Sequence, residues 1–144
     1  MEAFDSYTKQ FDMTNRITVL KYNHSYRVSK LSNMLASSLN LNNQDVELAT
    51  LIGLIHDIGR FEQIKKFNII SDKVTNTDHA NESCVYLFDN GHIRDFIKDN
   101  KYDSIILKAI INHNKLLSVL GLRTDASIEK ENRCCGLTAV ISCS

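Results

Sequence analysis

Five histidines, at positions 24, 56, 79, 92 and 113, and one carboxylate beside the second of them are the residues of this chain best placed to do chemistry. His56 and Asp57 stand in "LATLIGLIHDIGRFEQ", where an apolar run gives way to a charge just before Gly59. A carboxylate at the end of a buried helix costs several kcal/mol unless something pairs with it. Neutral imidazoles and a carboxylate form the ligand set for Zn, Fe, Mn, Co or Ni, and a carboxylate set between two ions can bridge them. On a helix His56 and Asp57 point only about 100° apart, so both can approach one centre from the same turn.

The elements that must position these residues read as helices. In "RITVLKYNHSYRVSKLSNML" the stripe Ile17, Leu20, His24, Val28, Leu31, Leu35 recurs at steps of three and four, which predicts a long helix with His24 in the middle of its apolar seam. A second, apolar nearly all round and so expected at the centre, starts at "NNQD" with Asn42 or Asn43 as cap and stops at Gly59. Gly53, one turn before His56 and Asp57, lets a neighbouring helix come close. A third helix opens at "TDHANESCVYLF" with Asp78 as N-cap, buries Ala80, Cys84, Leu87 and Phe88, and ends at Gly91. After a short piece around "IRDFI", a fourth carries Ile106, Ala109, Ile110, Leu117 and Leu120 with His113 on the same face. The eighteen residues "RFEQIKKFNIISDKVTNT", with a weak helical pattern in their first half, make a connection long enough to suggest a lid or binding loop.

One histidine on an apolar stripe is ordinarily a core residue with a satisfied hydrogen bond. Four of them, each delivered by a different helical segment, share a reason if they converge on metal. Only His92, just after Gly91, reads as loop surface.

Composition narrows the partners. With 144 residues, 43% of them hydrophobic, the chain suits one domain and one core. Lysine plus arginine and aspartate plus glutamate number 17 each, which excludes a general basic field for a nucleic-acid polymer. The start "MEAFDSYTKQFDMT" lacks the basic-then-apolar pattern of a leader, and no apolar run has bilayer length, so no membrane association is expected. The lone Cys84 and the absence of a disulfide framework fit a reducing, cytoplasmic setting. The sequence leaves the oligomeric state open.

The ordered set of His24 in "HSYRV", His56-Asp57 in "LIHDIGR", His79 in "TDHA" and His113 in "INHN" resembles the HD superfamily of metal-dependent phosphohydrolases, over roughly residues 14–120. The resemblance implies an all-α, single HD-domain-like helical bundle. It implies that His24, His56 and Asp57 serve one metal, and Asp57, His79 and His113 a second in two-metal members. The cofactor would be one or two divalent ions (Mn, Fe, Co, Ni, Zn or Mg), and the substrate a small phosphorylated molecule such as a nucleotide, attacked by metal-activated water. Arg27 and Arg60 are the candidate phosphate-holding cations, ahead of Lys115 and of Lys65, Lys66 and Lys73 in the loop. Phe61 and Phe67 either stack on a base or, the preferred expectation, close the loop over the core.

The chain departs from the pattern at its end. The family closes its first metal site with a late aspartate, but Asp125 in "LRTDASIEKEN" reads as a helix N-cap. Cys134, Cys135 and Cys143 then crowd into the last eleven residues. This divides the chain into an HD-like domain over 1–133, with its pattern incomplete, and an atypical tail over 134–144. A shifted reading frame or an early stop is the expected origin, with a genuine short terminal strand or helix as the alternative, and low or absent activity the expected consequence. The alternatives are a non-catalytic metal or nucleotide sensor, a redox di-iron protein, and a helical interaction domain with buried histidines.

Overall fold

The computed structural model of the chain describes residues 2–114. Among them every regular element is helical: α1 Glu2–Thr8, α2 Arg16–Ser38, α3 Asn43–Ile55, α4 Gly59–Phe67, α5 Asp72–Thr75, α6 His79–Cys84, α7 Ile93–Phe96 and α8 Asp103–Asn112. A π turn, Val85–Asp89, continues α6, and a 3-10 turn, Asn100–Tyr102, leads into α8. No helix among the described residues is long and apolar enough to cross a membrane. Lys115, Leu117, Leu120, Asp125 and the cysteine-rich tail lie outside them.

Short polar side chains set the helix starts. Asn15 caps α2 by accepting from Ile17 N, Asn42 caps α3 by accepting from Asp45 N, and Asp78 caps α6 by accepting from Ala80 N and Asn81 N. Asn40, Asn68 and Asn76 adopt positive φ at or just beyond helix ends, where asparagine tolerates the left-handed region better than most residues. Ile52, Ile55, Ile58, Phe61, Leu87, Ile106 and Ile110 are fully buried and form the centre of the core.

The buried face of α2 differs from the expected one. Leu20, Leu31 and Leu35 are exposed, whereas Thr18, Lys21, Ser25, Val28, Ser29, Ser32 and Ala36 are buried. The two faces are separated by about a quarter-turn of helix. The reason is the closeness of α3: a Cβ on Gly53 would stand 2.6 Å from Ser32 Oγ and 3.0 Å from Ser29 Cα. Only small side chains fit at such a crossing, so serines take the place that leucines would fill in a wider one. His24 therefore sits half-buried at the edge of the interface rather than at its centre.

The N-terminal helix, which the sequence pattern did not announce, closes the core from one side. Phe4, Tyr7 and Phe11 each pack against Phe61 with ring centroids 5.4–5.9 Å apart. Phe61 is thus a core residue, as preferred, while Phe67 is half-exposed. Tyr7 Oη donates to the Ile58 carbonyl at 3.0 Å, next in sequence to Asp57. Asp5 Oδ1 accepts from Tyr22 at 3.0 Å and Tyr26 at 2.6 Å, tying α1 to α2.

Candidate metal centre

His56 and Asp57 lie at a corner of the chain. The helix expected to run to Gly59 ends at Ile55, His56 caps it, and Gly59 opens α4 instead of stopping α3. A Cβ at Gly59 would stand 2.6 Å from Ser83 N, so glycine is what allows α6 to approach; Gly59 N also donates to Ser83 Oγ at 2.9 Å. The connection expected between the second and third helices contains α4, in the half with the weak helical pattern, and also the short α5. Through Asp72, which meets His79 Nδ1 and is held by Arg60 and Gln63, this segment supports the site.

Four of the predicted histidines converge on Asp57. His24 Nε2 and His56 Nε2 lie 3.7 and 3.3 Å from Asp57 Oδ2, and His79 Nε2 and His113 Nε2 each lie 3.3 Å from Oδ1. The carboxylate therefore faces two histidine pairs, one with each oxygen. Both triads, His24–His56–Asp57 and Asp57–His79–His113, bring one ligand atom per residue within 4.8 Å of the others. His92 is elsewhere: its ring stacks on Tyr86 at 4.3 Å and Nδ1 faces Asp95 at 3.1 Å.

The hydrogen bonds at Nδ1 fix which ring nitrogen of each histidine keeps a lone pair directed at the centre. His56 Nδ1 faces the Gly53 carbonyl at 2.9 Å, His113 Nδ1 the Ile110 carbonyl at 2.6 Å, and His79 Nδ1 the Asp72 carboxylate at 2.5 Å. Each of these partners only accepts, so each Nδ1 carries the proton and a neutral ring keeps its lone pair at Nε2. Burial pushes the His79 pKa below its ordinary value despite the opposing pull of Asp57 and Asp72, which favours that neutral ring. Lone pairs of His79 and His113, 3.0 Å apart, thus converge with those of Asp57 Oδ1, which is buried and accepts no hydrogen bond. Three ligand atoms held about 2.1 Å from a common centre at tetrahedral or octahedral angles are about 3.0–3.4 Å apart. The edges of this triangle, 3.3, 3.3 and 3.0 Å, fit a small divalent ion.

Asp57 is held as a carboxylate. Burial alone would raise its pKa, but the facing histidines, His56 first, and Lys21 bring it well below the ordinary value. Lys21 was not picked out from the sequence. It is buried on α2, three residues before His24, and its Nζ reaches Asp57 Oδ2 at 2.5 Å. No local signal separates it from a solvated lysine; only its burial against Asp57 does. His24 is pushed down to about 4 by burial, by the charge of Lys21 and by His56.

The two predicted arginines part company. Arg60 points into the molecule, donating to Asp72 Oδ1 and Gln63 Oε1 at 2.6 Å each. Gln63, fully buried, in turn donates to Asp72 Oδ1 at 3.1 Å, as well as to Thr75 and Thr77. Arg60 thereby helps to hold the carboxylate that holds His79. Arg27 is exposed on α2 one turn beyond His24, and its charge is felt there. A third grouping, Asp72, Asp78 and His79, is close enough to chelate, yet Asp78 caps α6 and Asp72 is engaged by Arg60, Gln63 and His79 Nδ1.

The model of the HD domain family matches residues 22–134, a span containing all four converging histidines and Asp57. The chain belongs to the HD domain family. No curated protein and no solved structure matches it. Membership places it among metal-dependent phosphohydrolases at the level of the superfamily, consistent with its all-α fold and with His/Asp clusters that could hold divalent metal.

Proposed function

We propose that this HD domain protein hydrolyses a phosphate ester of a small molecule, such as a nucleotide, at the centre built on Asp57. The observation that carries the reading is the buried Asp57 Oδ1, without a hydrogen bond and facing two histidine nitrogens whose lone pairs are directed by their Nδ1 partners. His79, His113 and Asp57 would hold a divalent ion, with His24 and His56 facing the other carboxylate oxygen. When bound, the ion supplies Lewis acidity that activates water and offsets charge on the phosphoryl group. The chain's own residues keep the centre in shape: Gly53 O, Ile110 O and Asp72 retain the Nδ1 protons of His56, His113 and His79. His24, half-buried, marks the solvent side, and Arg27 beside it supplies a cation for the outer phosphate oxygens.

Phosphate release from a panel of nucleotides and phosphomonoesters, with Mn, Co, Ni or Mg added, tests this. Activity with at least one ion, reduced more than about a hundredfold in Asp57→Ala, is expected. Absence of release from every substrate with every ion would sink it. A non-catalytic sensor has one observation in its favour, the engagement of Arg60 with Asp72 and Gln63 rather than with the open side of the site. Tight nucleotide binding without turnover in the same panel would select that reading.

A further inference from the structure

The two oxygens of Asp57 are used differently. Oδ1 meets only histidine nitrogens, and accepts no hydrogen bond. Oδ2 meets His24, His56 and also the ammonium of Lys21, which at 2.5 Å is its shortest contact. His24, at 3.7 Å, also stands farther from its carboxylate oxygen than the other three histidines, at 3.3 Å each. A divalent ion bound at Oδ2 would stand beside the lysine charge in a buried setting where like charges are poorly screened.

We propose that the Lys21 ammonium is the cation of the His24–His56 half of the centre, so that the chain binds one divalent ion, at Asp57 Oδ1, His79 and His113. The inference rests on the reading of the histidine cluster as a metal centre and adds to it the number of ions and their place. Lys21 then acts as a positioning residue. It fixes the Asp57 carboxylate from the α2 side and directs Oδ1 towards His79 and His113. Its charge replaces one ion of a pair without needing a ligand set of its own.

Equilibrium dialysis with Mn²⁺, followed by metal analysis of the full chain, decides it. The wild-type chain is expected to take up one ion, retained in His24→Ala and lost in His79→Ala. Lys21→Met keeps the length of the stem but removes the charge, and is expected to take up a second ion, which Lys21→Met combined with His24→Ala loses again. Lys21→Arg keeps a cation and is expected to stay at one. Two ions on the wild-type chain, loss of the single ion in His24→Ala, or one ion still on Lys21→Met would each overturn the proposal. Because the wild-type count and the two histidine variants speak without any Lys21 variant, misfolding of Lys21→Met leaves the test intact. No ion on the wild-type chain at saturating Mn²⁺ would overturn the metal reading itself, and this inference with it.

Discussion

At the scale of residues, the centre depends on side chains that touch the ligand histidines as much as on the histidines. Asp72 is the clearest case, because it holds the Nδ1 proton of His79 while Arg60 and Gln63 hold Asp72. Burial works to raise the Asp72 pKa, yet the hydrogen bond with His79, that with Gln63 and the charges of His79 and Arg60 carry it below its ordinary value. The carboxylate therefore stays charged and keeps the proton on His79 Nδ1, which leaves the Nε2 lone pair for an ion. Asp72→Asn preserves the shape but removes the charge, and should weaken divalent-ion binding about 10- to 100-fold while leaving the fold intact. Calorimetric titration with Mn²⁺ reads the affinity, and circular dichroism the fold. Unchanged affinity would show that Asp72 serves only to join α5 to α6. Arg60→Lys should show a smaller loss in the same titration, since lysine retains the charge but not the forked contact.

At the scale of elements, the crossing of α2 and α3 sets the distance from His24 to the corner that carries His56 and Asp57. Gly53→Ala improves intrinsic helix propensity by about 1 kcal/mol, but its new Cβ meets the backbone of Ser29 as well as the side chain of Ser32. Overpacking of this kind costs about 1–3 kcal/mol, so net destabilisation is expected, together with weaker metal binding as α3 is pushed away from His24. Chemical denaturation beside Mn²⁺ titration measures both effects, and a stabilised Gly53→Ala would refute the close crossing. The glycine was legible in the sequence because its cost on a helix demands a reason. The face of α2 was not: hydrophobic periodicity assumes that apolar residues point inward, and a crossing built on Ser25, Ser29 and Ser32 defeats it. The four converging histidines were legible since their spacing follows the helices that deliver them. Lys21 was not, because a lysine one turn from a histidine looks like any solvated charge until the tertiary structure buries it. Arg60 was recognised as a cation near the site, but its inward partner Asp72, twelve residues away in a segment read as a connection, was out of reach of local pattern.

At the scale of the whole molecule, the centre makes stability depend on acidity even without metal. His24 and His79 both have pKa values below the ordinary 6.5, His24 at about 4, with burial as the leading cause. Above pH 6.5 the folded and unfolded chains both carry these rings neutral, and the full stability is present. Between 6.5 and about 4 the unfolded chain takes up protons that the folded chain refuses, so stability falls with pH. Asp57 and Asp72 add to this lower down: their folded pKa values lie below 3.8, so their contribution is whole above that value and is lost as pH falls beneath it. Formal charge at neutrality is balanced, which leaves little global repulsion to obscure the local effect. The Tm of the metal-free chain should therefore be nearly flat from pH 8 to 7, fall from about 6.5 to 4, and fall further below 4. His24→Gln, with no ring to protonate, should flatten the middle part of that profile, whereas saturating Mn²⁺ should raise the plateau and steepen the fall, because protonated histidines release the ion. A metal-free Tm profile that stays level from pH 6.5 to 4 would mean that these rings protonate as readily in the folded chain as in the unfolded one, and that the centre is open to water rather than buried.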